Sequence, residues 1–236
     1  MPHSHGHEPH AKGGSFLRDI VFGVEDGLIS TLGIVAGVSG AAVGNAIVVL
    51  AGLAGMLAGA VSMAAGTYLS TKSQQRLYEK ELAREEWEID HLRHAEVQEI
   101  RGIYAKKGFR GKALENVVKV ITSDRETWLK VMMEEELGLA DTRGEKPAKA
   151  AAAIALSFVP GGFVPIVPYL FLSGAAALAA SVLLTAAGLF AFGAVKGRFT
   201  MEHPLVSGLE MVGVGMLAAA VGYAIGLAFN VGALIA

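Results

Sequence analysis

The sequence predicts an all-α, polytopic membrane protein with five transmembrane helices and an inserted cytosolic helical domain. Three observations support this prediction. The chain is 53% apolar with a mean hydropathy of +0.47, more apolar than is usual for a soluble domain of 236 residues. Five apolar stretches are each long enough to cross a bilayer. Between the second and third stretches lies a charged segment whose pattern is strongly helical.

The five predicted spans divide the chain into segments. They run from about Arg18 to Gly40, Ala46 to Ser70, Ala148 to Leu172, Ala175 to Val195 and Pro204 to Phe229. The third contains three prolines and two adjacent glycines, so we expect a broken helix whose freed carbonyls are satisfied by neighbouring helices. The resulting segments are a His-rich tail at 1–14, helices 1 and 2 at 15–70, the inserted domain at 71–147, and helices 3 to 5 at 148–236.

The basic residues predict the orientation in the membrane. Lys12 and Arg18 precede the first span, sixteen Lys and Arg lie between Lys72 and Lys149, and two more separate the fourth and fifth spans. Five spans place all 20 basic residues on one face, and the opposite loops carry none. By the positive-inside rule that face is cytosolic. We therefore expect the N-terminus and residues 71–149 in the cytosol and the C-terminus on the opposite side.

The first span carries acidic side chains within an apolar helix. At 100° per residue one stripe combines two carboxylates with small residues; it contains Asp19, Gly23, Asp26, Ser30, Gly33 and Gly37. A packing seam with Asp19 at the headgroups explains the glycines. It does not explain Asp26, which lies deeper, where an ionisable group costs about 2.5–3.5 kcal/mol. We expect Asp26 to face an ion path, leave both interpretations open for Asp19, and expect two copies of the chain to meet at this stripe.

The second and fifth spans hold further candidates. In the second span Gly55 and Gly59 form a close-packing GxxxG spacing, and Met63 shares their face. A thioether is a soft ligand suited to transition metals, although a lone methionine in a span is more often packing. Glu210 is a third candidate intramembrane carboxylate, in the glycine-rich fifth span.

The charged segment repeats a pair of glutamates. Glu85 and Glu88 are followed 11 residues later by Glu96 and Glu99, so all four lie within about 80° on a continuous helix. A second helix is expected from about Lys112 to Leu137. Carboxylate pairs facing a partner helix build metal sites in helical bundles, whereas a solvated charged face is the usual meaning of such runs. Both interpretations stay open at this point.

The histidines fall into two groups, for which we expect different roles. Those of the N-terminal tail either gather a divalent ion or resemble an expression tag; they are His3, His5, His7 and His10. We expect surface positions for His91 and His94, which lie near the glutamate face.

Several motifs in order resemble the vacuolar iron transporter family. They are DGLISTLGIVAGVSGA in the first span, SMAAGTYLS at the end of the second, the paired-glutamate helix, MMEEELGL, SFVPGGFVPIVPY and SGLEM. The resemblance covers nearly the whole chain from Asp19 onward. It implies five spans, a cytosolic helical metal-binding domain, a homodimer, and export of Fe²⁺, often with Mn²⁺, from the cytosol by use of a proton gradient.

The resemblance also implies roles for individual residues. Asp19, Asp26 and Met63 match the translocation path. The cytosolic metal site would contain Glu85, Glu88, Glu96, Glu99, Met132, Met133 and Glu136. Two positions depart from the family pattern: Thr67 stands where many members have Glu, and Lys130 where another acidic ligand is expected. The cytosolic site would then hold fewer ions or recruit Glu134 or Glu135.

Other function classes fit less well. The net charge of −2 gives no reason to expect nucleic acid as a partner, and the absence of cysteine excludes thiolate chemistry. We expect that the protein is not an enzyme and has no tightly bound cofactor. The expected partners are membrane lipid, protons and Fe²⁺, with Mn²⁺, Co²⁺ and Zn²⁺ as further candidate ions. The alternatives are a membrane-anchored ferritin-like protein that binds or oxidises iron, and a metal-responsive scaffold. The former needs Glu-x-x-His pairs on two helices, and only Glu88 with His91 forms one here.

Overall fold

The structure is a computed structural model that describes residues 14–199 and 202–229. Within those ranges every regular element is helical. The elements are α1 (Gly14–Gly40), α2 (Asn45–His91), α3 (Arg93–Lys106), α4 (Gly111–Ser123), α5 (Arg125–Val131), a π-helical turn (Met132–Glu136), α6 (Pro147–Phe163), α7 (Val167–Phe171), α8 (Gly174–Phe199) and α9 (Pro204–Ala228). Leu69–Lys146 form one compact unit, the inserted unit, and the described residues on either side form the other, the apolar unit. The four tail histidines lie outside the described residues.

Four helices of the described chain, α1, α2, α8 and α9, are long and apolar enough to cross a membrane. The third predicted span is shorter: α6 has 17 residues and α7 has five, with a turn between Phe163 and Val167. The predicted break is therefore present. Ser181 on α8 donates a hydrogen bond of 2.7 Å to the Pro165 carbonyl in this turn, so a neighbouring helix satisfies a freed backbone group as expected.

Glycines of α1 fix how the apolar unit packs. A Cβ at Gly37 would lie 3.1 Å from the Gly222 carbonyl oxygen, and one at Gly33 would lie 3.5 Å from that of Ala218. The contact positions advance in the same direction on both helices, so α1 and α9 run parallel. Small residues at these crossings let the two backbones approach each other closely.

A second crossing joins α1 to α6. A Cβ at Gly23 would contact Ser157 and Ile154, and one at Gly27 would contact Phe158 and Gly162. These contacts also advance together, so α6 runs parallel to α1. The end of α7 lies beside the turn between α1 and α2, where Tyr169 shares a hydrogen bond of 2.6 Å with Ser39. In the described part of the chain, α6 and α7 together therefore extend along most of the length of α1.

Replacing Gly222 by Ala is expected to destabilise the apolar unit, because the new methyl group would clash with the Gly33 carbonyl oxygen. Overpacking of this kind costs about 1–3 kcal/mol. Gly213→Ala on the same helix is the matched control, since nothing lies within 4 Å of its Cβ position. Thermal unfolding in detergent, followed by circular dichroism, should show a lower midpoint for Gly222→Ala only. Equal midpoints for the two variants would contradict the packing of α1 on α9.

The inserted unit has its own apolar core. Its buried members include Ile89, Ile100, Val118, Trp128 and Met132. Val118 and Trp128 lie on separate helices, so the prediction of one helix from Lys112 to Leu137 is wrong. The break falls at Asp124, whose carboxylate accepts a hydrogen bond of 2.8 Å from the Thr127 backbone N–H and caps α5.

The paired-glutamate helix is also interrupted. α2 ends at His91, and Leu92 adopts φ −120° and ψ 28° before α3 begins at Arg93. The prediction of one continuous helix through both glutamate pairs is therefore wrong. Arg125 on α5 binds the Asp90 carboxylate with both terminal guanidinium nitrogens, which holds the end of α2 beside α5.

Candidate metal site

Five glutamates of the inserted unit influence one another electrostatically. We call Glu85, Glu88, Glu96, Glu99 and Glu136 the glutamate cluster; α2 supplies the first two, α3 the next two and the π-helical turn the last. The charges of neighbouring members raise the pKa values of Glu85, Glu96 and Glu136. The bend at Leu92 therefore leaves both predicted pairs in one electrostatic environment, and the turn adds the fifth carboxylate.

Two members of the cluster are buried. Glu85 and Glu96 are each 3% exposed, and the Oε2 atom of each lacks a hydrogen-bond partner in the described part of the chain. An unpartnered buried carboxylate is costly and requires an explanation, such as protonation or an unseen cation. A solvated charged face does not account for these two positions. Glu88 is half-buried, whereas Glu99 and Glu136 are exposed and accessible from solvent.

Burial and mutual repulsion make the cluster reluctant to ionise. Burial first, and then the charges of Glu96 and Glu88, raise the pKa of Glu85 to about 7. Burial and the charge of Glu99 likewise raise the pKa of Glu96 to about 7. Loss of hydration, the charges of Glu99 and Glu85, and a hydrogen bond to Glu99 raise the pKa of Glu136 to about 7. A divalent cation would relieve the same repulsion.

A nearby arginine was not anticipated from the sequence. Arg84 contacts Glu88 at 3.1 Å and Glu81 at 3.8 Å, and so supplies a positive charge at the edge of the cluster. The i,i+3 and i,i+4 spacing of these residues was the available signal. Because the Arg84 side chain is 64% exposed, it can move away when a cation binds.

The two methionines predicted as soft ligands are both buried in or near the π-helical turn. Met132 is fully buried and belongs to the apolar core of the inserted unit, and Met133 is 1% exposed. A π-helical turn is rare and occurs frequently at functional sites. Here it brings two consecutive methionines into the interior while Glu136 stays accessible. The core position of Met132 makes Met133 the better candidate for a thioether ligand.

The acidic residues that might replace a missing ligand have other contacts. Glu135 forms an ion pair with Lys107, and Glu134 lies 4.0 Å from Lys130. His91 and His94 are exposed, as predicted. The His91 ring stacks on Trp87 with centroids 4.5 Å apart, and its Nδ1 contacts the Trp87 carbonyl oxygen. The Glu88 and His91 pair therefore does not form the ligand arrangement of a ferritin-like site.

The cluster is not a finished coordination sphere. Among the described residues, no three His, Asp or Glu side chains are close enough together to hold one metal ion. Ion binding would therefore need side-chain rotation, which the exposed Glu99 and Glu136 permit most easily. Carboxylate oxygens with a nearby thioether suit divalent transition metals better than Mg²⁺ or Ca²⁺.

The predicted intramembrane ligands lie in the apolar unit. Asp19 is buried and lies 3.8 Å from Arg18, and Asp26 is half-buried one turn before Ser30, whose hydroxyl donates to the Asp26 carbonyl. Met63 is half-buried and packs against the apolar core around Phe158. The chain thus places two carboxylates and a thioether in this unit, and their joint role stays a prediction.

The glycines of the α1 stripe contact helices of the same chain. Gly23 packs on α6, whereas Gly33 and Gly37 pack on α9. Gly33 and Gly37 also line an open apolar groove of about 790 Å³ between α1 and α9, together with Ser30 and Val214. The expectation that two copies of the chain meet at this stripe stays a prediction.

Comparisons with known proteins agree with the resemblance. Residues 17–227 match the family model described as the VIT family. Vacuolar iron transporter 2 of Oryza sativa subsp. japonica is 42% identical over 92% of this chain and 88% of its own length. Vacuolar iron transporter 1 of Arabidopsis thaliana is 38% identical over 93% of this chain and 88% of its own length. The vacuolar iron transporter of Plasmodium falciparum (isolate 3D7) is 34% identical over 89% and 81%.

Proposed function

Because the chain belongs to the VIT family, we propose that this integral membrane protein exports Fe²⁺ from the cytosol in exchange for protons. Mn²⁺ and other divalent transition metals are further candidate substrates. The observation that carries the proposal is the glutamate cluster, in which Glu85 and Glu96 are buried without a partner for Oε2. Carboxylates in this state gain most from binding a divalent cation.

The proposal includes five membrane crossings. Each crossing reverses the chain direction, so the parallel packing of α1 and α9 needs an odd number of crossings between them. Helices α2 and α8 provide two, and α6 with α7 would provide the third. The contacts of Gly23 with α6 and of Ser39 with Tyr169 support this, because they lie toward opposite ends of α1. With the basic residues, a five-crossing topology supports the proposal that the N-terminus and the inserted unit are cytosolic.

In the proposed mechanism the glutamate cluster captures ions and Asp26 passes them through the membrane. Glu99 and Glu136 are exposed and would meet the ion first; Glu85 and Glu96 would then be ionised by its charge. In the apolar unit, Asp26 would provide an oxygen ligand and Met63 a softer contact. Since a carboxylate binds metal only when deprotonated, protons arriving from the opposite side would displace the ion. Alternating access would turn this competition into antiport.

The proposal also includes a homodimer. Asp26 is only half-buried in the single chain, although it lies in an apolar helix. An ionisable group that faces lipid is costly, and a second copy covering this face of α1 would enclose a path. The expected contact surface is the face of α1 that carries Asp26, together with the open groove that Gly33 and Gly37 line between α1 and α9.

The test is metal flux into proteoliposomes that contain only this protein. With an acidic lumen and metal outside, we expect Fe²⁺ and Mn²⁺ uptake that stops when the pH gradient is collapsed. Liposomes without protein and liposomes without a gradient are the controls. Metal binding without flux would favour a scaffold or storage protein, and uptake that is independent of the gradient would exclude proton antiport.

A further inference from the structure

Glu210 is an exposed carboxylate on α9, a helix that is long and apolar enough to cross a membrane. It lies six residues after the start of α9 at Pro204. Its neighbours Leu209 and Met211 are apolar; Leu209 is 62% exposed and Met211 is buried. Within the described ranges, no hydrogen bond or ion pair involves Glu210. A lone carboxylate facing hydrocarbon is unfavourable, so this position requires water, protein or an ion beside it.

The packing of α9 on α1 sets the depth of Glu210. The two helices run parallel, with Gly37 at the level of Gly222 and Gly33 at that of Ala218. Two further turns toward the helix starts bring Asp26 level with Met211 and its neighbour Glu210. Glu210 and Asp26 therefore lie at similar depth on adjacent helices.

The orientation of Glu210 around α9 agrees with this placement. Val214, Leu217 and Val221 lie within about 40° of it on the helix, and all three line the groove between α1 and α9. On α1 the same groove is lined by Ser30, one turn after Asp26. Asp26 and Glu210 thus each lie one helical turn before a residue that lines this groove, Ser30 on α1 and Val214 on α9. Leu209 is rotated by about 100° from Glu210 and points to another side of α9.

We propose that Glu210 lines the ion path at the depth of Asp26, where its carboxylate attracts the divalent cation. The inference rests on the proposed transport function, to which it adds a second path carboxylate, supplied by a different helix from Asp26. A path along the open groove beside α1 and α9 explains why a charged side chain occupies a face that is otherwise apolar.

Thiol labelling tests whether water reaches position 210, and it does so without relying on transport. The chain has no cysteine, so Glu210→Cys and Leu209→Cys each introduce a single reactive thiol. In proteoliposomes, a charged membrane-impermeant methanethiosulfonate should modify Glu210→Cys at least about tenfold faster than Leu209→Cys, a ratio that corresponds to about 1.4 kcal/mol. Mn²⁺ should slow the reaction at position 210 only. Equal rates, or an unreactive thiol at position 210, would overturn the proposal.

Flux measurements then test the role of the charge. Glu210→Gln should raise the apparent KM for Mn²⁺ by about fivefold or more, while Glu210→Asp retains most of the wild-type value. Glu202→Gln, an exposed glutamate before α9, should leave the flux unchanged. An unchanged KM in Glu210→Gln, alongside active wild type, would refute the role of Glu210 but not the transport function. An inactive wild-type protein would instead refute the transport function. The ratio of the labelling rates would then still decide whether water reaches position 210.

Discussion

Replacing Asp26 by Asn is expected to lower metal flux in proteoliposomes at least tenfold. Asn keeps the size of the side chain and one carbonyl acceptor but removes the charge and the titrating group. A tenfold loss requires only about 1.4 kcal/mol of binding or transition-state energy. The protein should still insert, because removing a charge from an apolar helix lowers the insertion cost. Ion binding by the glutamate cluster should not change.

Glu25→Gln is the matched control for Asp26→Asn. The change is chemically equivalent and falls one residue earlier, about 100° around α1 and also at a half-buried position. We expect near wild-type flux from Glu25→Gln at equal reconstitution levels. Near wild-type flux from Asp26→Asn would remove this carboxylate from the path. Equal losses in both variants would indicate a general effect of charge at the membrane surface.

The apolar helices could be predicted from the sequence because the hydrocarbon core of a membrane allows few backbone conformations. Every buried N–H and C=O must be satisfied inside the helix, so the length of an apolar run determines where a helix forms. The predicted second and fifth spans begin within one residue of α2 and α9. The third does not form one long helix, because proline at 165 and 168 cannot donate the backbone hydrogen bonds needed to continue α6.

The burial pattern of the glutamate cluster could not be predicted. Periodicity gives the angle of a residue around a helix but not which surface covers it. Glu96 and Glu99 were predicted as one pair on a shared face, yet Glu96 is buried and Glu99 is exposed. The bend at Leu92 and the π-helical turn determine that difference, and both depend on packing between elements distant in sequence. The Asp124 cap was predictable in principle, because Asp is a preferred N-cap residue and Glu126 adds an acidic side chain in the first turn of α5.

The same reason applies to Gly33 and Gly37, whose contact with α9 was not predicted. A glycine stripe predicts close approach of another backbone, but it does not identify the partner. The partner is α9 of the same chain, about 185 residues further along the sequence. A single sequence contains no signal that distinguishes this contact from one with a second copy.

The glutamate cluster should bind metal with a strong pH dependence. Its buried members have a pKa raised to about 7, so protons and metal ions compete near neutral pH. At pH 8 these carboxyl groups are mostly ionised, and at pH 6 mostly protonated. Mn²⁺ affinity should therefore fall at least about tenfold between pH 8 and pH 6, measured by calorimetry on the full chain in detergent. An Asp26→Asn background excludes binding at Asp26 from the measurement.

The double variant Glu85→Gln/Glu96→Gln should lose both the tight binding and its pH dependence, while helicity stays nearly intact because Gln and Glu have similar helix propensity. Without metal, the raised pKa values also predict the direction of the stability change. Protonated Glu85 and Glu96 are favoured in the folded chain, so their contribution to stability is fully present below about pH 4.5. It is lost as the pH rises through about 7.

The wild-type chain without metal should therefore unfold at a lower temperature at pH 8 than at pH 5, and Mn²⁺ should reverse the difference at pH 8. The double variant should show neither effect. Glu86→Gln, next to Glu85 but exposed, is the control and should behave as wild type. If the double variant keeps the wild-type Mn²⁺ affinity at pH 8, these carboxylates do not bind the ion. The capture step would then have to be assigned to other residues of the inserted unit.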